Sequence, residues 1–201
     1  IDQNCDAVDL CYTDNDNDNY GTSSFMNGLS LNCSNDLNRA PVPTDCNDAN
    51  AAVYPAATEI VADSVDENCD GQELCYVDAD NDGYRPNAGS TIVSGNLSCA
   101  DPGEAIGSDP VGDCGDLDFF INPGAAEIVA DGVDEDCNAQ ELCYVDADGD
   151  GWRPDAVSTV VSANLSCGDF GEAGAFTEIG DCDDAIPFVN PAMIEFPCDS
   201  L

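Results

Sequence analysis

The chain repeats itself three times, and this internal repeat limits the possible folds more than any other feature of the sequence. Cysteines recur in one order in every copy, at Cys11, Cys33 and Cys46, then Cys75, Cys99 and Cys114, then Cys143, Cys167 and Cys182. The second and third copies are offset by 68 residues, as Cys75 and Cys143 show. Repeats of this kind are small structural units that each contact only their neighbours. We therefore predict three units with boundaries at 1–65, 66–133 and 134–201.

The two ends of the chain stand in the register of these boundaries. Leu201 occupies the position of Val65 and Val133, and Asp2 the position of Asp66. We therefore expect the chain to be a segment of an extendable array, and Ile1 to begin either a processed chain or an excerpt. In this reading, copies of the chain associate head to tail as a homopolymer.

Regular secondary structure is expected to be sparse, because Asp, Asn, Gly and Pro interrupt nearly every window. Short β-prone segments occur at 59–61, 90–94, 127–129 and 158–162. The predicted fold is therefore mainly β and irregular: three tandem, disulfide-bonded, calcium-stabilised repeats with short β-hairpins in a linear array. Such units bury too little apolar surface to be stable without further support.

The charge of the chain excludes several classes of function. Asp and Glu number 42 against three arginines, with no lysine and no histidine. Nucleic-acid binding needs a basic surface, and a membrane-spanning helix needs an apolar run of roughly 18 residues, so neither is expected. Catalysis by histidine-dependent triads or by lysine is excluded as well. We expect no enzyme, and a hydrolase with two catalytic carboxylates, such as a glycosidase, is a minor alternative.

The acidic residues fall into clusters that recur in each repeat. The first cluster places Asp at positions 1, 3 and 5 of a loop, a pattern typical of calcium loops, with a backbone carbonyl expected from position 7. Gly83 and Gly151 supply the tight turn at position 6, where the first repeat has Asn19. The predicted ligands are Asp14, Asp16, Asp18 and Tyr20; Asp78, Asp80, Asp82 and Tyr84; and Asp146, Asp148, Asp150 and Trp152.

Two further clusters follow in each repeat, and each could form its own site or lend ligands to the first. The second pairs two Asp residues around a cysteine and is followed by a Pro and a Glu: Asp45, Asp48 and Glu59; Asp113, Asp116 and Glu127; Asp181, Asp184 and Glu195. The third again has oxygen side chains at positions 1, 3 and 5: Asp66, Asn68 and Asp70; Asp134 and Asp136; and Asp2. Without lysine or many arginines, so many carboxylates are costly unless divalent ions screen them.

The chain resembles a known repeat family on these residues. Gly180-Asp-Cys-Asp-Asp184, then Val189-Asn-Pro-Ala-Met-Ile-Glu195, then Cys198-Asp-Ser, is similar to the secreted "putative metal-binding motif" repeats of MopE-like bacterial surface proteins. The resemblance implies extracellular, calcium-loaded structural repeats. The motif cysteine is kept at Cys198 but is replaced by Ala62 and Ala130. Copper would favour imidazole or soft sulfur ligands, and the chain has no histidine and only two methionines, so the expected ion is Ca²⁺.

Thirteen cysteines place the chain in an oxidising compartment, and we expect it outside the cell or at the cell surface. The lost motif cysteine and the additional Cys11, Cys75 and Cys143 favour one set of pairs, although sequence alone leaves the connectivity open. The expected pairs are Cys33–Cys46, Cys99–Cys114, Cys167–Cys182, Cys5–Cys11, Cys69–Cys75 and Cys137–Cys143. Three sequons, at Asn32, Asn96 and Asn164, predict attached glycans, the alternative being unmodified polar hairpin tips.

The leading functional hypothesis is a calcium-binding structural protein that builds an extracellular filament or surface layer. The alternative is a calcium-binding adhesion or spacer module of a larger secreted surface protein. A metal-storage or copper-capture role is a further, weaker alternative.

Overall fold

A computed structural model of the chain describes residues 9–194. The chain divides into two compact units, Ile1–Val111 and Gly112–Leu201. Within residues 9–194 there is no α-helix, and thus no helix with the length and apolar character needed to cross a membrane. This secondary-structure content confirms the expected mainly β and irregular fold.

Short strands provide nearly all of the regular structure. They are β1 (Leu10–Thr13), β2 (Phe25–Asn27), β3 (Arg39–Ala40), β4 (Glu73–Asp78), β5 (Thr91–Ser94), β6 (Gly103–Ala105), β7 (Glu141–Asp146), β8 (Trp152–Arg153), β9 (Thr159–Ser162), β10 (Gly171–Ala173) and β11 (Glu178–Ile179), with a 3-10 turn at Cys33–Asn35.

Each repeat contributes one antiparallel three-stranded sheet with the same topology. The central strand is β1, β4 or β7, and the sheet orders are β2-β1-β3, β5-β4-β6 and β10-β7-β9. The register also repeats, because Cys75 lies opposite Ile92 and Cys143 lies opposite Val160. The β-prone segments 90–94 and 158–162 therefore form strands as predicted.

The β-prone segments 59–61 and 127–129 do not form strands, so this expectation was wrong. Their backbone donors bind side-chain carboxylates instead of a neighbouring strand: the N–H of Ile60 donates to Glu67 Oε2 at 3.0 Å. Ala62 and Ala130, which follow directly, have left-handed φ angles of 61° and 62°. A left-handed residue reverses the chain locally, which ends any extended run.

The buried core is small and consists largely of sulfur and methyl groups. Cys11, Cys75 and Cys143 on the central strands are fully buried, and Ala105 and Ala173 on the outer strands are buried as well. Glu73 and Glu141 are also buried, each with 1% of its surface exposed. A core with so few large apolar side chains contributes little hydrophobic stability.

The arginines of the second and third repeats are structural. Arg85 lies over the ring of Tyr76 at 4.1 Å and donates to the carbonyl oxygens of Asp109 and Gly107. Arg153 lies over the ring of Tyr144 at 3.9 Å in the same arrangement. Both side chains bind a loop that returns to the sheet, and each combines a cation–π contact with hydrogen bonds to backbone.

The cysteine pairing expected from the sequence was wrong. The disulfides are Cys11–Cys33, Cys46–Cys69, Cys75–Cys99, Cys114–Cys137 and Cys143–Cys167. None of the expected pairs Cys33–Cys46, Cys69–Cys75, Cys99–Cys114, Cys137–Cys143 and Cys167–Cys182 forms, and Cys11 is bonded to Cys33 rather than to Cys5, which lies outside the described residues. Cys182 is exposed and is not in a disulfide.

The direction of the central strands explains the pairing. Strand β4 begins at Glu73 and rises about 3.3 Å per residue, so it carries Cys75 away from the loop that holds Cys69. A disulfide requires Cα atoms about 4.4–6.8 Å apart. The hairpin that starts on β4 returns past β5 and brings Cys99 to a Cα distance of 5.3 Å from Cys75.

Candidate metal centres

The first acidic loop follows directly after the central strand of the sheet. In the first repeat Asp14 is buried and accepts hydrogen bonds from the backbone N–H groups of Asn17 at 2.6 Å and Asn19 at 3.1 Å. Asp18 accepts from the N–H of Tyr20 at 2.7 Å. These bonds fold the loop back on itself, so that carboxylate oxygens of Asp14, Asp16 and Asp18 lie within 4.8 Å of one another.

The other two repeats build the same loop. Asp78 accepts from the N–H groups of Asn81 at 2.7 Å and Gly83 at 3.0 Å, and carboxylate oxygens of Asp78, Asp80 and Asp82 again lie within 4.8 Å of one another. Asp146 accepts from Gly149 at 2.8 Å and Gly151 at 3.0 Å.

The sixth position of this loop is left-handed in all three repeats. The φ angles of Asn19, Gly83 and Gly151 are 75°, 90° and 88°. This confirms the tight turn that was predicted there from glycine and asparagine. The N–H groups of Tyr84 and Trp152 bind Asp82 and Asp150, as Tyr20 binds Asp18, while the role of these seventh residues as carbonyl ligands stays a prediction.

The second cluster joins the first loop in the first repeat. Carboxylate oxygens of Asp16, Asp45 and Asp48 lie within 4.8 Å of one another, so Asp16 belongs to both groups. Asp48 also accepts a hydrogen bond from the N–H of Asn15 at 2.8 Å. The two Asp residues around Cys46 therefore lie beside the first loop in this repeat.

The same contact between the second cluster and the first loop occurs in the second unit, where Asp184 accepts a hydrogen bond from the N–H of Ala147 at 2.8 Å. Asp181 is buried there and accepts from Asp183 at 2.9 Å. In the second repeat, Asp113 is likewise buried and accepts from Gly115 at 2.7 Å, and Asp116 follows it.

The third cluster forms a separate centre together with the glutamate of the motif. Asp66 accepts from the N–H groups of Asp70 at 3.0 Å and Gly71 at 2.8 Å, the pattern of the first loop. Glu59 Oε1 accepts from the N–H of Asn68 at 2.9 Å. Glu59 thus contacts the third cluster, although it follows the Asp45 cluster in the sequence.

The second unit repeats this centre. Glu127 accepts from the N–H of Asp136 at 3.1 Å, and carboxylate oxygens of Glu127, Asp134 and Asp136 lie within 4.8 Å of one another. Asp134 also accepts from the N–H groups of Asn138 and Ala139, both at 2.9 Å. The remaining predicted ligands of this type, Asp2 and Glu195, lie outside the described residues.

Several carboxylate oxygens in the first centre are buried without a hydrogen-bond partner. They are both oxygens of Asp16 and one oxygen each of Asp18 and Asp45. Burial raises the pKa of Asp16, and the nearby charges of Asp18 and Asp45 raise it further. Burial also raises the pKa of Asp18 and of Asp45. Unpaired buried charge of one sign is unfavourable, and a cation bound between these carboxylates would neutralise it.

The same effect of burial recurs at four carboxylates of the other centres. Burial and then the charge of Asp150 raise the pKa of Asp148, and burial and then the charge of Asp181 raise the pKa of Asp184. Burial raises the pKa of Glu59 and of Glu127, whose Oε2 atoms have no hydrogen-bond partner.

The donor set fits a hard divalent cation. Calcium takes six to eight oxygen ligands at about 2.3–2.6 Å, so ligands on opposite sides of the ion are about 5 Å apart. In the four carboxylate groups whose spacing is given above, one oxygen of each residue lies within 4.8 Å of the others, which satisfies this spacing. Cys46 and Cys69 lie beside Asp45, but their sulfur atoms are bonded to each other and offer no thiolate. Copper would need soft or imidazole ligands, which this set lacks.

Two pairs of glutamates beside these centres were not singled out from the sequence. Glu67 and Glu135 are buried and bind the backbone N–H groups of Ile60 and Ile128. Glu141 binds Ala130 at 3.0 Å and Gly132 at 2.8 Å. Glu73 and Glu141 lie in the near-identical segments Gln72–Asp78 and Gln140–Asp146, each as the first residue of a strand. This recurrence is the sequence feature that points to a structural role for these two glutamates.

The sequon asparagines are exposed in all three repeats. Asn96 accepts from the N–H of Ser98 at 2.7 Å, and Asn164 accepts from Ser166 at 2.8 Å. Asn32 accepts from Ser34 at 3.2 Å. Each side chain therefore holds the same local turn at the surface, and glycan attachment there stays a prediction.

The fold and these centres define a class: a disulfide-bonded β-repeat protein whose acidic loops gather oxygen ligands for a metal. Three segments, residues 45–73, 113–141 and 181–201, match the family described as "Putative metal-binding motif" (Cu-binding_MopE). The predicted resemblance is thus confirmed, and the chain carries three copies of this metal-binding motif. The matched segments together cover about two-fifths of the chain. Comparison with curated proteins and with solved structures gave no match.

Proposed function

We propose that the protein binds Ca²⁺ and serves a structural rather than a catalytic role, as a subunit or period of an extracellular filament or surface layer. The observation that carries the calcium assignment is the pair of Asp16 oxygens, which are buried without a hydrogen-bond partner and face Asp45 and Asp48. A bound divalent cation supplies the positive charge that neutralises these carboxylates.

Two kinds of centre would hold the ion. The first draws on Asp14, Asp16 and Asp18 of one loop and on Asp45 and Asp48 of another, so it ties two loops of the first repeat together. The second draws on Glu59 with Asp66, Asn68 and Asp70, which are already connected by hydrogen bonds. Both centres add cohesion to a chain whose apolar core is small.

The disulfides support an oxidising compartment, and an extracellular location follows as part of the proposal. Head-to-tail self-association of copies is part of the same proposal, and it is supported by the tandem repetition of one unit within the chain, since stacked repeats each contact their neighbours. A heterologous contact of this kind propagates because it does not close on itself.

Metal binding is tested by calcium titration of the stripped full chain, followed by calorimetry and metal analysis. We expect Asp16→Asn to abolish one binding event and Glu59→Gln to weaken a different one. The matched control is Glu178→Gln, since Glu178 is an exposed residue of β11 and its loss of charge is the same. Stoichiometric binding of copper with no binding of calcium would refute the proposed ion.

Assembly is tested separately, by electron microscopy of the purified full chain with and without calcium. We expect filaments or sheets in calcium and their loss on chelation. Discrete monomers at all protein concentrations would refute the structural role and would favour a spacer module.

A further inference from the structure

Asp16 belongs to two groups of carboxylates in the first repeat. In one group an oxygen of Asp16 lies within 4.8 Å of oxygens of Asp14 and Asp18, which belong to the same loop. In the other group an oxygen of Asp16 lies within 4.8 Å of oxygens of Asp45 and Asp48, which come from a second loop beyond β3. These two groups share Asp16 and no other residue.

Both oxygens of Asp16 are available to a ligand. Each is buried, and neither has a hydrogen-bond partner among residues 9–194. The oxygens of Asp14, by contrast, accept hydrogen bonds from the backbone N–H groups of Asn17 and Asn19. Buried polar atoms nearly always have a partner, so two open oxygens on one carboxylate need an explanation. One oxygen for each group supplies it.

The charges of the two groups meet at Asp16. Burial raises the pKa of Asp16, and the charges of Asp18 from one group and Asp45 from the other raise it further. The five carboxylates carry a formal charge of −5, of which one divalent ion leaves −3 and two leave −1. Arg39, the one arginine of the first repeat, donates to two backbone carbonyl oxygens. Two bound ions therefore balance the charge of the centre better than one.

The spacing of the oxygens also suits one ion in each group. Calcium binds oxygens at about 2.3–2.6 Å, so two ligands of one ion are at most about 5 Å apart. Three oxygens within 4.8 Å of one another meet this limit in both groups. Two-metal sites hold their ions about 3.5–4 Å apart, a distance that one carboxylate spans with its two oxygens.

The third repeat supports a second ion on independent residues. Asp148 stands in the register of Asp16, and Asp181 in that of Asp45. Asp181 is only 5% exposed, and the Oδ2 atoms of Asp181 and Asp148 are both buried with no hydrogen-bond partner in the described part of the chain. Burial raises the pKa of Asp148 and of Asp184, and the charge of Asp181 is among the causes that raise both further. An open oxygen on so deeply buried a side chain, close to other carboxylates, favours a bound cation there.

We propose that the first acidic centre holds two divalent cations in the first and third repeats, and that Asp16 and Asp148 each bridge such a pair. The inference rests on the proposed binding of calcium, and it adds a second ion and names the residue that connects the two. Water and backbone carbonyl oxygens complete the shell of each ion, since calcium takes six to eight oxygen ligands.

The second ion connects two loops, whereas the first lies within one. Asp16, Asp45 and Asp48 hold the second ion, and their loops already meet through the hydrogen bond from the N–H of Asn15 to Asp48 Oδ1 at 2.8 Å. A carboxylate oxygen has two lone pairs, so Asp48 can accept this bond and bind the ion as well. Because Asp45 and Asp48 flank Cys46, the second ion also ties the first loop to a disulfide-bonded segment.

The test counts bound ions by native mass spectrometry of the full chain, stripped of metal and reloaded with calcium. Asp16→Ala should remove two ions, because both groups lose their shared ligand. Asp16→Asn should remove one, because an amide has a single oxygen. Asp48→Ala should also remove one, since only the second group loses a ligand. The matched control Glu178→Ala, on the exposed strand β11, should remove none.

A second measurement does not depend on how well a variant folds. Wild-type protein loaded with Mn²⁺, which also prefers oxygen ligands, should show the exchange-coupled electron paramagnetic resonance signal of paired ions. Asp48→Ala should lower the intensity of this signal, and Glu178→Ala should leave it unchanged.

Loss of a single ion from Asp16→Ala, or a spectrum of isolated Mn²⁺ ions only, would overturn the bridged pair. These failures are distinguishable from failure of the proposed function. If the wild type retains calcium and Asp16→Ala loses only one ion, the centre holds one ion and calcium binding stands. If the wild type takes up no calcium but shows coupled Mn²⁺ pairs, the bridged pair stands and the calcium assignment fails.

Discussion

Glu59 Oε1 accepts a hydrogen bond from the backbone N–H of Asn68 at 2.9 Å, and this contact connects Glu59 to the third acidic cluster, nine residues further on. Glu127 makes the same contact with Asp136. Because Cys46–Cys69 and Cys114–Cys137 bind the same loops, each repeat junction is held both by sulfur and by a carboxylate centre. The disulfide and the carboxylate centre therefore stabilise one structural element rather than two.

The first prediction is that Asp16→Asn changes the sign of its effect with calcium. In calcium the variant should melt lower than the wild type by several degrees, because a ligand is lost. In calcium-free buffer it should melt higher, by about 2–4 °C for roughly 1 kcal/mol, because a buried carboxylate repelled by Asp18 and Asp45 is removed. Thermal unfolding followed by circular dichroism measures both values.

The control for this prediction is Glu178→Gln, which removes one charge from an exposed strand residue. Its melting temperature should follow the wild type in both buffers. Destabilisation by Asp16→Asn in both buffers would show that Asp16 acts as an ordinary structural residue.

A second prediction concerns the buried glutamate that supports the turn before each third cluster. Glu141→Ala should destabilise its unit by about 2–4 kcal/mol, because the backbone N–H of Gly132 loses its acceptor and that of Ala130 keeps only the carbonyl of Leu142. Urea unfolding in saturating calcium measures the change. Glu178→Ala is the exposed control, and equal, small effects of both variants would contradict the structural role of Glu141.

A third prediction separates the intrachain disulfides from Cys182. Replacing both Cys75 and Cys99 by serine opens a loop with a sequence separation of 24 and should cost about 3 kcal/mol of stability. Cys182→Ser should leave the stability of the isolated subunit unchanged, since Cys182 is exposed and has no disulfide. Denaturant unfolding of the two variants under oxidising conditions makes the comparison, and a loss of similar size for Cys182→Ser would contradict it.

A fourth prediction is that the pH dependence of stability reverses with calcium. Burial raises the pKa of Asp16, Asp45 and Glu59, so the metal-free native state binds protons more tightly than the unfolded chain does. Its stability should fall as the pH rises from about 4 towards 7. The lowered pKa values of Asp36 and Asp155 oppose this trend only in part, since fewer groups are shifted that way.

With calcium bound, protons compete for the same oxygens, and stability should instead fall as the pH drops. Melting temperatures across this range, measured on stripped and on calcium-loaded protein, give the two slopes. Slopes of the same sign would show that these carboxylates do not hold the ion.

Much of the fold was predictable because it is local. The turns at Asn19 and Gly83 follow from loop spacing and from residues that tolerate positive φ, and β5 and β9 follow from β-branched residues. The clustering of Asp14, Asp16 and Asp18 is also local, since three alternate residues of one turn must converge.

The long-range contacts were not predictable from spacing. The pairing of Cys75 with Cys99 depends on the direction in which β4 leaves the loop of Cys69, and the placement of Glu59 depends on the left-handed turn at Ala62. A left-handed alanine is unfavourable in isolation, so an alanine at this position does not predict the turn. The hydrogen bond from the N–H of Ala62 to Glu73 that accompanies this turn arises only in the folded chain.

The central claim is that calcium in the acidic loops is part of the folded structure, and its most direct test is calorimetric unfolding of the full chain before and after the ion is removed. Several ions bound only to the native state should raise the melting temperature by more than about 10 °C, with the increase growing with calcium concentration. Magnesium at the same concentration should have a smaller effect, because it prefers a tight octahedral shell. An unfolding transition unchanged by complete removal of calcium would contradict the account.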